Sequence, residues 1–414
     1  MTEVALSSGF QLTPTEQSRA VNSIIVSVAI WLGVFLSGFV INEPAPYELY
    51  MVGLIGIWAL LGLTLPKQIL PLISLLLLFN LGGIITMMVM PDWQNALIYV
   101  GVSFFLGFTA MFFAAIIAAK PERLKLIFAA YLAAALITGM LGILGYFGAI
   151  PGADLFTRFG RAKGAFQDPN VFAPFLCLPA LYCLHSILTK PFTRTLPQML
   201  CLLILAFAIF LSFSRAGWGL FVICSILLIA FLLINNPSGR FRVRLIILSV
   251  AAIGTLAVAL LVALQFESVR ELFLSRAQLV QDYDGARLGR FARHALGFSM
   301  AMENPFGIGI LKFGSIFGED PHNVYLKALT DYSWLGFASY VILIFWTLGV
   351  GLKILFRERP WQPFLLCAFI VFVGHVIIGY VIDTDHWRHF FLLLGIIWGC
   401  VGAEHQFQRK RRAL

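Results

Sequence analysis

Charge is what this sequence has least of. Asp, Glu, Lys and Arg make up 12% of its 414 residues, whereas 60% are hydrophobic and the mean hydropathy is +0.90. A chain of this size needs far more charge to cover a water-facing exterior, so the secreted, cytosolic and disordered classes are excluded together. In a bilayer the exterior must itself be apolar, and the composition suits that solvent. Cysteine offers no chemistry either. Cys177, Cys183, Cys201, Cys224, Cys367 and Cys400 all fall inside apolar runs, without metal-site spacing or a disulfide framework. Phosphate-loop signatures are missing too: there is no GxxxxGK[ST] and no GxGxxG after a strand, which argues against a nucleotide-driven pump or a cytosolic nucleotide-sugar enzyme. The first nineteen residues lack a basic stretch and a small-residue cleavage site, so 1–19 reads as a cytoplasmic tail and not as a cleaved signal.

What the chain does have is long apolar runs. Twelve of them, near 21–41, 47–65, 68–90, 95–119, 124–148, 170–189, 196–213, 216–235, 244–265, 322–352, 362–382 and 387–403, are long enough to cross a hydrocarbon core as helices. They are rich in Leu, Ile, Ala and Phe without the alternation of a membrane barrel. The expected fold is therefore all-α and polytopic, with about 12 transmembrane helices forming a single domain over 20–414. Basic residues on alternate connections fix the expected orientation. With both termini cytoplasmic, the inner segments hold 17 basic and five acidic residues and the outer ones 12 and 15, so the overall +9 divides into +12 inside and −3 outside. The basic tail 404–414, with Arg409-Lys410-Arg411-Arg412, follows this rule and reads as topology in preference to an anionic-lipid site. No nucleic-acid partner is implied.

Two outer segments, 149–169 and 266–321, are longer than linkers need to be, and long loops are where function concentrates. Within the second, 285–302 reads as an amphipathic helix with Leu288, Phe291, Ala295, Phe298 and Met302 on one face and Arg287, Arg290 and His294 on another. Such a helix suits the membrane surface. The first segment places Arg158, Arg161 and Lys163 on the outer side, against the charge bias; these either meet an anion such as a diphosphate or pair with Asp154, Asp168 or lipid phosphates. Arg215, in Phe213-Ser214-Arg215-Ala216-Gly217-Trp218, is either a site residue or an interfacial anchor beside Trp218. His322 and Asn323 stand where a span begins, a place suited to anion binding or general-base work, or to helix capping alone. Asp383-x-Asp385-His386-x-x-His389 has a metal-like look but reads as a polar turn before the last span.

Three motifs recur in order: Arg161-Ala162-Lys163-Gly164-Ala165-Phe166-Gln167-Asp168-Pro169-Asn170, then Ser214-Arg215-Ala216-Gly217-Trp218, then Arg287 through Asn304-Pro305-Phe306-Gly307-Ile308-Gly309 to His322-Asn323-Val324-Tyr325-Leu326. Over roughly residues 125–400 the chain resembles the O-antigen ligase and O-antigen polymerase superfamily of bacterial envelope glycosyltransferases. The resemblance implies a cofactor-free and metal-independent transferase of the inner membrane with its site facing the periplasm. Its donor would be a glycan on undecaprenyl diphosphate, and its acceptor the lipid A-core in ligases or another lipid-linked saccharide in polymerases. By the same resemblance Arg161 and Arg215 would hold the diphosphate and His322 would activate the acceptor hydroxyl. Arg158, Lys163, Arg287, Arg290 and Asn323 would line the substrate site. Polymerase, transporter or flippase, and non-catalytic assembly partner stand as the alternatives. A carrier predicts ionisable residues at mid-membrane on broken helices, whereas nearly every charge here lies at a span end or in a loop.

Overall fold

Apolar runs that leave no backbone amide to water become helices, because only intrahelical bonding satisfies the backbone within lipid. The computed structural model describes residues 14–236, 238–277 and 289–413. Its helices are α1 (Pro14–Leu36), α2 (Pro46–Leu60), α3 (Leu70–Met88), α4 (Gln94–Ala119), α5 (Arg123–Tyr146), α6 (Pro169–Thr189), α7 (Leu196–Leu211), α8 (Arg215–Asn235), α9 (Gly239–Ala263) and α10 (Glu267–Ala277). Then follow α11 (Arg290–Glu303), α12 (Lys312–Phe317), α13 (Val324–Asp331), α14 (Ser333–Leu355), α15 (Gln362–Ile378) and α16 (Arg388–Arg412). A two-residue hairpin pairs β1 (Thr157–Arg158) with β2 (Arg161–Ala162).

Among the described residues, eight helices are long and apolar enough to cross a membrane, and α2, α7, α15 and the Val21–Leu36 part of α1 are shorter apolar helices. These twelve correspond in order to the twelve runs of the sequence, and the chain is an all-α polytopic membrane protein. Three details differ from the sequence reading. Helix α1 begins at Pro14, inside the stretch read as a tail. The run 322–352 is two helices, because Tyr332 stacks on Phe79 at 4.0 Å and Ser333 turns into the left-handed region at φ +61°, which resets the helix. The amphipathic helix is described from Arg290 to Glu303, while Arg287 and Leu288 lie outside the described residues.

Apolar helices gain little by leaving lipid for one another, so close approach through small residues has to hold the bundle. Helix α16 is one example, lying along α4 through Gly395 and Gly399. A Cβ placed on Gly399 would stand 2.7 Å from the Ile117 Cβ, and one on Gly395 2.7 Å from the Phe113 Cβ. Helix α15 lies between α8 and α16, α14 packs on α3, and α6 packs on α7 and α8. At one end Arg357 and Arg359 clamp the buried Glu404 carboxylate at 2.7 Å each. The irregular connections gather at the other end. There Arg388 of α16 pairs with Glu43 at 3.0 Å and with Glu48, and the Ile310 amide reaches the Met90 sulfur at 3.2 Å. Replacing Gly399 by Leu should lower the thermal stability of the detergent-solubilised protein by about 1–3 kcal/mol, the usual cost of overpacking. An unchanged melting curve would show that α4 and α16 do not need this approach.

Candidate functional site

The first half of the site is built around Arg161. Phe159 and Gly160, at φ +52° and +67°, make the tight turn of the hairpin, so Arg158 and Arg161 stand opposite each other. Arg161 is buried, its Nε donating to the Ser212 carbonyl at 2.8 Å and its Nη2 to Asn170 Oδ1 at 2.8 Å. The motif that follows it is explained by this folding. Gly164 sits at φ +53° with the Thr138 carbonyl oxygen 2.5 Å from where a Cβ would be, so only glycine fits. Asp168 caps α6 by accepting from the Asn170 amide at 2.7 Å, and Pro169 takes the first helical turn, where it lacks no bond. Phe166 buries its ring against Phe172 and Phe175. The other two cations of the segment are less enclosed. Arg158 pairs with Asp168 at 3.5 Å, both side chains well exposed, as the ion-pair alternative had it. Lys163 donates to the Phe166 carbonyl at 3.0 Å, and burial together with Arg158 lowers its pKa.

Ser212, the partner of Arg161, opens the second half. Phe213 at φ +47° reverses the chain after α7, and the Ser214 hydroxyl caps α8 by accepting from the Gly217 amide at 3.2 Å. Arg215 is therefore the first residue of α8, at the end where amides and dipole favour an anion. Trp218 seals the end of α7 by donating to the Ile209 and Phe210 carbonyls at 3.1 and 3.2 Å. Gly217 lets α8 close on α6, since a Cβ there would meet the Ala173 Cβ at 2.4 Å.

The third element carries His322. Asn323 caps α13, its Oδ1 accepting from the Tyr325 and Leu326 amides at 3.1 Å each, which is the capping alternative. The Val324 amide donates to the Gly379 carbonyl at 2.8 Å, latching α13 to the end of α15. His322 itself is held at φ +49°, a strained position for a side chain of this size, and 41% of its side chain is exposed. Its Nδ1 lies 3.7 Å from Asp383 Oδ2, while Asp383 Oδ1 accepts from the Asn323 amide at 3.0 Å. Helix α11 backs this loop. His294 Nε2 donates to the Pro321 carbonyl, and Arg293 reaches Glu319 at 2.9 Å and the Phe317 carbonyl at 3.3 Å. Arg290 is the first residue of α11 and half-buried.

Asp383 and Asp385 belong to the turn that the sequence reading set aside. It is a turn, as expected, but one that faces His322. Asp385 accepts from the Tyr99 hydroxyl at 2.6 Å and from His386 Nδ1 at 2.8 Å. Burial pushes Asp385 up, yet Lys327 and His386 outweigh it and hold the carboxyl well below the usual carboxylate range. Burial pushes the Asp383 carboxyl up, with Lys327 opposing. Lys327 and Asp383 are the residues that sequence reasoning missed. The available signal was a Lys and an Asp four residues apart, Lys327 and Asp331, at the head of an apolar run.

Helix packing relates the halves. Leu220 and Cys224 of α8 sit against Gly374 of α15, where a Cβ would lie 2.4 Å from Leu220 Cδ1 and 2.8 Å from Cys224 Sγ. Leu220 is five residues below Arg215 and Gly374 five below Gly379, about 7.5 Å along either axis. Arg215 and the His322 loop thus stand level on adjacent helices, which at such contact lie about 8–10 Å apart. Gly164→Ala should destabilise the protein by more than Gly148→Ala, because both positions are left-handed but a Cβ on Gly148 meets nothing within 4 Å. Equal melting temperatures for the two variants would show that the hairpin does not rest on Thr138.

Residues 200–341 match the family model described as O-Antigen ligase. The matched segment runs from α7 into α14 and contains Arg215, α11, His322 and Lys327, while Arg161 and Asp383 lie outside it. No curated protein matches the chain. The family implies a membrane glycosyltransferase of the ligase or polymerase type. The match agrees with the order of motifs and with the all-α membrane fold, and over residues 200–341 it supports the resemblance to the O-antigen ligase and O-antigen polymerase superfamily.

Proposed function

We propose that this protein is an O-antigen ligase that moves a glycan from undecaprenyl diphosphate to a hydroxyl of the lipid A-core at the periplasmic face of the bacterial inner membrane. The observation that carries the reading is His322 held 3.7 Å from the half-buried Asp383 carboxylate, at the same end of the bundle as Arg161 and level with Arg215. The acceptor oxygen attacks the anomeric carbon, the bond from that carbon to the diphosphate oxygen breaks, and the electron pair leaves with the diphosphate. The hydroxyl proton passes to His322 Nε2, while Nδ1 faces Asp383, which stabilises the imidazolium as it forms. A single displacement of this kind inverts the anomeric centre.

The arginines meet the charge that develops on the leaving group. The Arg161 guanidinium is fixed in advance by Ser212 and Asn170, so it stabilises the diphosphate without reorganising. Arg215 presents a second cation at a helix N-terminus. Arg158 and Lys163 add positive charge next to Arg161 in the sequence, and Arg290 adds it beside His294, while Arg287 enters by its place in the motif and lies outside the described residues. An apolar cleft of about 410 Å³ lined by Ile143, Phe207 and Phe266 lies between α5, α7 and the end of α9. The aromatic chain Phe207, Phe210 and Trp218 continues from it to the helix turn that bears Arg215, which suits an isoprenoid tail whose diphosphate ends there. The description of the matched family favours ligase over polymerase. The charge asymmetry of the sequence favours the periplasm for this end and the cytoplasm for both termini.

The purified protein, given lipid-linked oligosaccharide and lipid A-core, should transfer glycan onto the core. His322→Ala should reduce transfer by about 10²–10⁴-fold and Arg215→Ala by about 10²–10³-fold, with both variants still inserted. Undiminished transfer by the two variants overturns the site. Longer lipid-linked chains formed without core identify a polymerase, and solute movement across vesicles without transfer identifies a carrier.

A further inference from the structure

Lys327 is the only buried lysine among the described residues, with 4% of its surface exposed. Its ammonium lies 3.2 Å from Asp320 Oδ2 and 3.9 Å from Asp383 Oδ2, and 5.2 Å from the centre of the Tyr99 ring. Asp331, one helical turn along α13, and Asp385, across the turn, complete a ring of four carboxylates around one cation. Burial disfavours the charge on Lys327, but Asp385, Asp383, Asp331 and Asp320 outweigh it and keep the side chain protonated. Burying such a cluster is a poor way to gain stability, since an apolar side chain of similar volume commonly does as well. Its arrangement has a different use. The Asp385 carboxylate is occupied by Tyr99 and His386, and Asp331 accepts from the Leu311 amide at 3.1 Å and the Thr330 hydroxyl at 2.8 Å. Asp383 is the member turned to His322, and Lys327 is the cation that lies between it and the other carboxylates.

We propose that Lys327 is a positioning residue that keeps Asp383 ionised and aimed at His322, with Asp320 as the counterweight that draws the ammonium partly away. This rests on the reading of His322 as the proton acceptor. The charges facing Asp383 are Lys327 and Asp331 from α13, Asp320 and His322 from the loop before it, and Asp385 and His386 on its own turn, with Tyr99 from α4 beside them. Removing the cation makes the Asp383 carboxylate harder to ionise; removing the Asp320 charge makes it easier. The two changes therefore move activity along the pH axis in opposite directions, which a purely structural role would not do.

The test is the pH profile of kcat/KM for the full-length protein in lipid nanodiscs, with Lys327→Met, Asp320→Asn, Asp383→Asn and His322→Ala. Lys327→Met should move the acid limb up by about one pH unit or more, and Asp320→Asn should move it down, in keeping with the size of shifts caused by adjacent charges. Asp383→Asn should reduce kcat by about 10²-fold or more at the optimum. Where Lys327→Met fails to fold, the downward shift of Asp320→Asn, whose side chain is 36% exposed, carries the test alone. Acid limbs that coincide with wild type in every folded variant of Lys327 and Asp320, with His322→Ala inactive, overturn the proposal. Full activity of His322→Ala instead overturns the proton-acceptor reading beneath it.

Discussion

Irregular backbone at the end of a membrane bundle must find its hydrogen bonds within the protein, and this requirement is what assembles the site. The connections that break helical bonding at this end satisfy one another. The 209–213 turn offers the Ser212 carbonyl to Arg161, Thr138 in α5 accepts the hairpin through the Ala165 amide at 2.8 Å, and Gly379 takes the Val324 amide. Among the described residues, all five non-glycine side chains with positive φ lie at this end: Phe159, Phe213, Leu311, His322 and Ser333. Each such conformation costs on the order of 1–3 kcal/mol and persists only where its surroundings fix it. The long helices below, locked by close contacts such as Gly399 on Ile117, supply that fixity.

Given this scaffold, the electrostatics follow from which charges are enclosed. Arg161 and Lys327 are the buried cations among the described residues, and they are treated in opposite ways. Arg161 donates to a carbonyl and an amide oxygen, which fix the geometry of its guanidinium. Lys327 is surrounded by carboxylates that more than cancel it. The enclosed carboxylates thus gather in the half of the site that carries His322, which stands between Asp383 and solvent. That arrangement matches a transfer in which negative charge grows on one fragment while a proton leaves another.

Much of the scaffold was legible in the sequence because lipid imposes simple rules. Twelve apolar runs correspond to twelve apolar helices among the described residues, whereas the roles of Gly164 as a turn and Asp168 as a helix cap emerge only from their contacts. The break at Ser333 was hidden, since 333–352 continues the run without a charged residue, and the break comes from Tyr332 stacking on Phe79, 253 residues away in sequence. The partner of His322 was hidden for the same reason. Asp383 lies 61 residues further on, and only the latch of α13 onto the end of α15 brings it close. Motif spacing reports local turns well but carries no information about which turns meet.

The turn at 383–389 shows how the residues that meet decide the chemistry. Two aspartates and two histidines in seven residues suggest a metal site by composition alone. In the fold these side chains are taken up by protein partners, Asp385 and His386 by each other as well. Asp383 faces His322 and the Asn323 amide, Asp385 takes the Tyr99 hydroxyl, His386 lies against the Tyr99 ring at 3.9 Å, and His389 is buried beside His375 at 5.2 Å between ring centres. A carboxylate already accepting a backbone amide has a fixed orientation, so Asp383 can hold an imidazole in one rotamer and one tautomer. Since α13 bonds to Gly379 and Asp383 to Asn323, His322 and Asp383 are tied together on both sides, and movement of one carries the other.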